Sequence, residues 1–272
     1  MIIAYKCYII LGGCMVMGSP ETVSGIIDDV VRGLVSGKKV AVAFSGGLDS
    51  GLIGGLSMRY AESVTFYVTG VPGCHDIAAA ESAAAEMGAA LEVIEVTDAV
   101  SVIEDQVRIT GCSNPLMLAF SSPLFCVLRG CSEEYVIGGT GADEVFGGYN
   151  KYVGVPDDDL RNRMKEDTDR FWSETFPHEE RIASAFGKIV FRPYLDGRVT
   201  SFVDSLPPEV IRPRPEDRKK LLCDAAEELG FGFLASRPKK AAQYGSGILD
   251  AVKAVCRERG IEYNQLVSEL SK

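Results

Sequence analysis

The amino-acid sequence predicts an α/β protein: a doubly wound, mostly parallel sheet followed by an α-rich C-terminal part. Three observations carry that expectation. Strand-like apolar runs at residues 39–44, 64–68, 90–96 and 134–137 alternate with helical patterns, at a spacing that suits parallel strands joined by crossover helices. The first run, Val40-Ala-Val-Ala-Phe44, is apolar at every position, as a strand buried on both faces is. Beyond Tyr152 the strand pattern gives way to charged stretches.

Met1 to Gly18 is almost wholly apolar, with Lys6 its only charge. Leu11-Gly-Gly-Cys14 has the form of a lipoprotein cleavage box, and a signal peptide or a plain N-terminal strand also suits this composition. The preferred reading is an extension ahead of a start at Met15 or Met17, leaving residues 19–150 as the core and 151–272 as the α-rich part. The segment is too short and too weakly flanked for a membrane span.

Ser19-Pro20-Glu21 reads as a helix start, with a hydroxyl cap, a first-turn proline and an acid at the positive end of the dipole. Val23, Ile26, Ile27, Val30, Val31 and Leu34 then recur at helical spacing until Gly37. A helix over 51–60, the strand at 64–68, an Ala-rich helix capped by Asp76 and ended by Gly88, and the strand at 90–96 follow. Helices over 98–107 and 115–128 lead to the strand at 134–137. Asp157 to Arg181 reads as exposed helices anchored by Phe171 and Trp172, Pro207-Pro208 ends another helix, and 216–229 and 247–259 are helical. The C-terminal part is expected to close over the site.

The chain has 272 residues, 46% of them hydrophobic and 24% charged, which allows a substantial core in one large domain or a domain with a subdomain. A net charge of -10 argues against a broad nucleic-acid footprint, because phosphate backbones are gripped by clustered Lys and Arg. The eight cysteines form no Cys-x-x-Cys pair and only two histidines are present, which argues against a zinc cluster. Most cysteines read as small buried residues in a reducing, cytoplasmic setting. Cys74 and Cys112 are set apart by their place in loops near the expected site.

That site begins where Ser45-Gly46-Gly47 ends the first strand and Asp49-Ser50 opens a helix. Glycines let the backbone approach a ligand, and free amides at a helix start, with the dipole's positive end behind them, favour phosphate. Ser45 and Ser50 add hydroxyl donors, whereas Asp49 suits Mg2+ carried by a nucleotide. An ordinary glycine-rich turn is the competing reading. No Gly-x-x-x-x-Gly-Lys-Ser/Thr occurs, which excludes the kinase-type phosphate loop.

Ser45-Gly-Gly-Leu-Asp-Ser50 resembles the pyrophosphate loop of the ATP pyrophosphatases. Within that superfamily, Gly138-Gly-Thr-Gly-Ala-Asp-Glu-Val-Phe-Gly-Gly-Tyr149, Arg192-Pro-Tyr-Leu-Asp196 and Arg237-Pro-Lys-Lys-Ala-Ala-Gln-Tyr-Gly-Ser-Gly247 resemble segments of the synthetase domain of asparagine synthetases. The four lie in family order from about Val40 to Gly247. The resemblance implies an adenine nucleotide α-hydrolase-like fold, with ATP held by Ala43, Ser45, Gly46, Gly47, Asp49, Ser50, Val68, Gly138 and Gly139. Mg2+ would sit on Asp49 and Asp143, and Lys239 would neutralise charge on the α-phosphate and the acyl group. Thr140 stands at the catalytic position where the family carries a glutamate, and its hydroxyl cannot act as a general base at neutral pH. Arg108, Asn114, Glu144 and Asp196 are the candidates for an acceptor site, Arg108 being three residues out of register with the family arginine.

The activity implied is an ATP-dependent, AMP-forming amide ligase: a small-molecule carboxylate is adenylated, then attacked by ammonia or an amine. The stretch before the loop is too short for the family's glutaminase domain, so free ammonia, a separate glutaminase subunit or another amine is the expected nitrogen source. A homo-oligomer is compatible with these features. The alternatives are a sulfur transferase working through Cys112 or Cys74, and a non-catalytic adenine-nucleotide-binding module.

Overall fold

The computed structural model describes residues 10, 11, 14, 15, 22–237 and 242–271. Ile10–Leu11 and Cys14–Met15 pair antiparallel. The main sheet has five strands: β1 (Lys39–Ala43), β2 (Ser63–Gly70), β3 (Leu91–Glu95), β4 (Tyr135–Gly138) and β5 (Ile189–Phe191). All pairs are parallel and the order is β3-β2-β1-β4-β5. The expected parallel sheet is therefore present, with one strand more than the sequence pattern signals. At three residues on the sheet's edge, β5 is too short for periodicity to mark it.

Alternation along each strand splits the core in two. Val40, Val42, Phe66, Val68 and Ile137 face one apolar cluster, whereas Ala41, Tyr67 and Val136 face the other. On the first face lie α1 (Val23–Val35), α2 (Leu48–Tyr60) and α3 (His75–Met87). On the second lie α4 (Ala99–Thr110) and α5 (Pro115–Gly130). Thr22 caps α1, accepting from the Gly25 amide at 3.2 Å; the expected cap, Ser19, lies outside the described residues. Cys74, not Asp76, takes the N-cap position of α3, and Asp76 sits inside the first turn. Gly88 ends α3 in the left-handed conformation, as expected.

After β4 come α6 (Ala142–Val145) and α7 (Asp157–Arg170), which runs through a π-helical turn at Phe171–Thr175 into α8 (Phe176–Ala185). Phe171 is buried as expected, but Trp172 is 43% exposed. Its ring rests edge-on to Phe171 at the surface, so one aromatic anchors the turn and its neighbour does not. Then follow α9 (Gly197–Ser205), α10 (Pro208–Ile211), α11 (Lys220–Glu228), α12 (Ala242–Gly245), α13 (Ile248–Glu258) and α14 (Tyr263–Leu270). Helices α9 and α11 pack on α1, and α13 and α14 on α4 and α5, so both clusters draw on either side of residue 150. No single helix among the described residues is long and apolar enough to cross a membrane.

Strand order reverses at β1: the chain builds β2 and β3 on one side, then crosses to β4 and β5 on the other. The crevice beyond the carboxyl ends of β1 and β4 is where sheets of this kind bind ligands.

Candidate active site

Two loops meet in that crevice. The first leaves β1 at Ala43. Gly46 has φ +76° and its backbone lies so close to Ala79 and Ala80 of α3 that any side chain would overlap them. Glycine is required there for both conformation and room. Gly47 is the N-cap of α2 without a side-chain hydrogen bond, so the first amides of this 13-residue helix point into the crevice uncapped. Within the loop, Ser45 N–H donates to Ser50 Oγ at 3.2 Å.

The second loop leaves β4. A Cβ on Gly139 would come within 2.6 Å of the Ser50 nitrogen and 2.7 Å of Asp49, so this glycine lets the two loops touch. Asp143 lies in the first turn of α6, and its carboxylate packs on the backbone of Gly148, where a side chain would overlap it. The fully buried Tyr194 donates its hydroxyl to the Asp49 carbonyl at 3.0 Å, so the Arg192–Asp196 motif braces the first loop from beneath.

Asp49 and Asp143 converge on one cation. The Lys219 ammonium pairs with Asp49 and lies 3.1 Å from Asp143 Oδ1, with 6% of its side chain exposed. Lys219 is the sole non-glycine residue with positive φ among those described, at φ 58° and ψ 36°. Helix α11 consequently begins at Lys220, not at residue 216 as the pattern implies. Sequence reasoning missed Lys219 because nothing in Arg218-Lys-Lys220 separates it from Lys220, which pairs with Asp224 on the surface. Two carboxylates within reach of one point fit Mg2+, which is held through one or two carboxylates with phosphate and water completing its shell. No group of three metal-ligating side chains occurs among the described residues.

The loops open on a cavity of about 560 Å³. Ala43, Ser45, Asp49, Ser50 and Val68 line it from one side, and Gly138, Gly139, Thr140 and Asp143 from the other. Glu144 also faces it, accepting from the Tyr149 hydroxyl at 2.6 Å; burial pushes the Glu144 carboxyl up, with that hydrogen bond opposing. Asn114 lines the cavity, but its side-chain oxygen caps α5, at 3.0 and 3.3 Å from the Leu116 and Met117 amides. Arg108 and Asp196 are elsewhere: Arg108 is exposed and paired with Asp105, and Asp196 caps α9 and pairs with Arg198. Neither contributes to the cavity lining, because each is held by a partner on or beside its own helix. Lys239 lies outside the described residues. Cys74 and Cys112 do not line the cavity.

Opposite the loops stands a wall of different character. Helix α5 presents Leu116, Met117, Phe120 and Leu124, with Leu116 69% exposed. The π-helical turn adds Phe171, Glu174 and Thr175. Glu179 is 2% exposed and bonded by Arg192 at 3.0 and 3.1 Å; burial pushes its carboxyl up and the guanidinium opposes. Lys151 and Arg170 share Asp167, at 2.5 and 3.5 Å.

Residues 23–156, which hold both loops, match the family model described as asparagine synthase. This segment is an asparagine synthase domain. A provisionally named asparagine synthetase [glutamine-hydrolyzing] 1 from Methanocaldococcus jannaschii is 26% identical over 87% of this chain and 50% of that one. The asparagine synthetase [glutamine-hydrolyzing] of Brassica oleracea is 24% identical over 71% of this chain and 36% of its own length. Human asparagine synthetase domain-containing protein 1 is 36% identical over 42% and 19%. The chain thus spans half or less of these relatives. Among solved structures, the U34-tRNA thiolase NcsA from Methanococcus maripaludis is a distant likeness, with TM-score 0.42 and 16% identity over 93% of this chain and 80% of that one. Within the asparagine synthase domain, Gly139 brings the loops together, and a partner that bridges their acids, Lys219, comes from beyond its matched end.

Proposed function

We propose that this chain is an ATP-dependent, AMP-forming amide ligase of the asparagine synthetase type. The observation that carries the reading is the convergence of Asp49 and Asp143, from two loops, beside the uncapped start of α2. Phosphate oxygens are received by the amides of residues 46–49 and the Ser45 and Ser50 hydroxyls, with Val68 and the end of β1 beside the adenosine. Asp49 and Asp143 would hold Mg2+, which would supply charge neutralisation on the phosphates. The acceptor carboxylate attacks the α-phosphorus, giving an acyl-adenylate and pyrophosphate, and ammonia or an amine then displaces AMP. The protein's share is positioning and electrostatics. Lys239 is assigned the neutralisation of charge at the α-phosphate, and Thr140 contributes a hydroxyl without acting as a base. The apolar wall of Leu116, Met117, Phe120 and Leu124 favours an acid with an apolar body over aspartate. Ammonia or another amine is the nucleophile of the second step.

The test is pyrophosphate release from ATP and Mg2+ across a panel of carboxylic acids with ammonium, with amide formation followed by mass spectrometry. Release that requires one class of acid and yields its amide supports the reading. ADP as product, or binding of ATP without turnover on any acid, overturns it, and the latter outcome supports a nucleotide-binding module. Lys239→Ala is expected to keep ATP binding and lose pyrophosphate release. Sulfur transfer predicts that Cys112→Ser or Cys74→Ser abolishes turnover; the ligase reading predicts that Cys112→Ser leaves it intact.

A further inference from the structure

The Asp49–Asp143 pair is already neutralised from within the chain. Lys219 reaches it from the start of α11, 170 residues from Asp49 in sequence, and its buried ammonium touches both carboxylates. Two acids this close repel one another unless a cation lies between them. The surrounding wall adds Glu144, Glu174 and Asp76, and Asp167 with its partners Lys151 and Arg170, in a chain of net charge -10. An unguarded pair in such a field would draw divalent cations from solution.

We propose that Lys219 closes this pair to free divalent cations, so that the metal is accepted with the nucleotide's phosphates and not ahead of them. The inference rests on the nucleotide reading above and adds an order to it. Asp49 and Asp143 would hold a metal only by giving up the ammonium they share, so Lys219 would have to leave them. When the metal arrives alone, Lys219 would lie buried beside a dication that has taken up its two carboxylates. When it arrives with a triphosphate, the incoming anion offers the ammonium a new partner. Metal and nucleotide binding are therefore thermodynamically coupled through Lys219, and the coupling is reciprocal. Lys219 stands at positive φ ahead of α11. The segment does not depend on the ammonium for its place, because Arg218 donates to the Gly148 carbonyl at 3.2 Å and the Leu222 and Cys223 amides bond back to the Lys219 carbonyl.

The experiment is Mn2+ binding to the full chain, followed by electron paramagnetic resonance of the free ion, with and without a non-hydrolysable ATP analogue. Wild-type protein is expected to bind Mn2+ at least tenfold more tightly with the analogue than without it. Lys219→Met is expected to bind free Mn2+ at least tenfold more tightly than wild type, a gain that Asp143→Asn in the same chain removes. Lys219→Arg, which keeps a cation, and Lys220→Met, which removes the surface neighbour, should both behave as wild type. Equal affinity of wild type and Lys219→Met for free Mn2+ overturns the proposal. Should Lys219→Met fail to fold, the wild-type protein still decides: Mn2+ affinity unchanged by a bound analogue overturns it. Failure of the analogue to bind at all is a separate outcome, which overturns the nucleotide reading itself and the proposal with it.

Discussion

The two sides of the cavity are built by different means. The side at the strand ends is made of backbone: glycines at 46, 139 and 148 pack against main chain or a carboxylate with no room for a Cβ, and two acids are set by the first turns of α2 and α6. The opposite side is made of side chains on helices, among them the exposed Leu116 and Phe120 of α5 and Phe171, Glu174 and Thr175 of the π-helical turn. Backbone geometry tolerates almost no substitution, whereas a helical wall can be repainted residue by residue. On the proposed function, the difference separates chemistry from selection: the strand-end side would carry the step common to a family, and the helical side the choice of acceptor.

The largest expected effects fall on the strand-end side. Asp49→Asn and Asp143→Asn should each lower Mg2+-dependent pyrophosphate release by about a hundredfold or more, as loss of a group neutralising transition-state charge does; a loss under tenfold would erase the contrast between the two sides. The next effect belongs to the support of the helical wall. There His178, 3% exposed, lies 2.9 Å from the Ser121 hydroxyl in a buried network with Gln106 and Ser122, and its Nδ1 has no hydrogen-bond partner. Burial, with Arg181 nearby, pushes the imidazole down to about 4 from 6.5. The fold therefore requires the neutral ring: stability is intact above about pH 6.5 and is lost progressively as pH falls towards 4, by up to about 3 kcal/mol. Urea unfolding at several pH values should show this slope, flattened in His178→Gln.

Gly139→Ala comes third. Its methyl would meet Ser50 and Asp49, and overpacking of this kind costs about 2 kcal/mol in chemical denaturation, accompanied by loss of activity as the loops part. The smallest effect is Leu116→Ala. It should change stability by less than about 0.5 kcal/mol because the side chain is mostly exposed, yet raise the KM for the acceptor about tenfold without moving that for ATP. An equal rise in both would merge the two sides.

The same contrast governs what the sequence discloses. The strand-end loops are legible because glycine and aspartate at fixed offsets are demanded by local geometry: Ser45–Ser50 and Gly138–Asp143 are recognisable before any coordinates are seen. Parallel strands of four residues or more show as apolar runs, and the buried stripe of α1 shows as helical periodicity. Tertiary partnership stays hidden. Arg108 looks like an acceptor contact but is held by Asp105 at the surface, and Asp196 is spent on capping α9. Lys219 looks like one more surface lysine, and only the folded chain brings it 3.1 Å from Asp143. Trp172 has the composition of a core anchor, yet its neighbour Phe171 takes that place because the π-helical turn directs one ring inward and leaves the other outside. The edge strand β5 forms because Tyr135, Val136 and Ile137 of β4 offer it a parallel register, not because three residues insist on it.

The most direct test of the account is carboxylate-dependent exchange of labelled pyrophosphate into ATP, in wild-type protein and in Asp143→Asn. Reversible adenylation at the strand-end loops predicts exchange that appears with an accepted carboxylic acid, does not require ammonia, and vanishes in the variant. Exchange without any acid, or exchange that persists undiminished in Asp143→Asn, would contradict it.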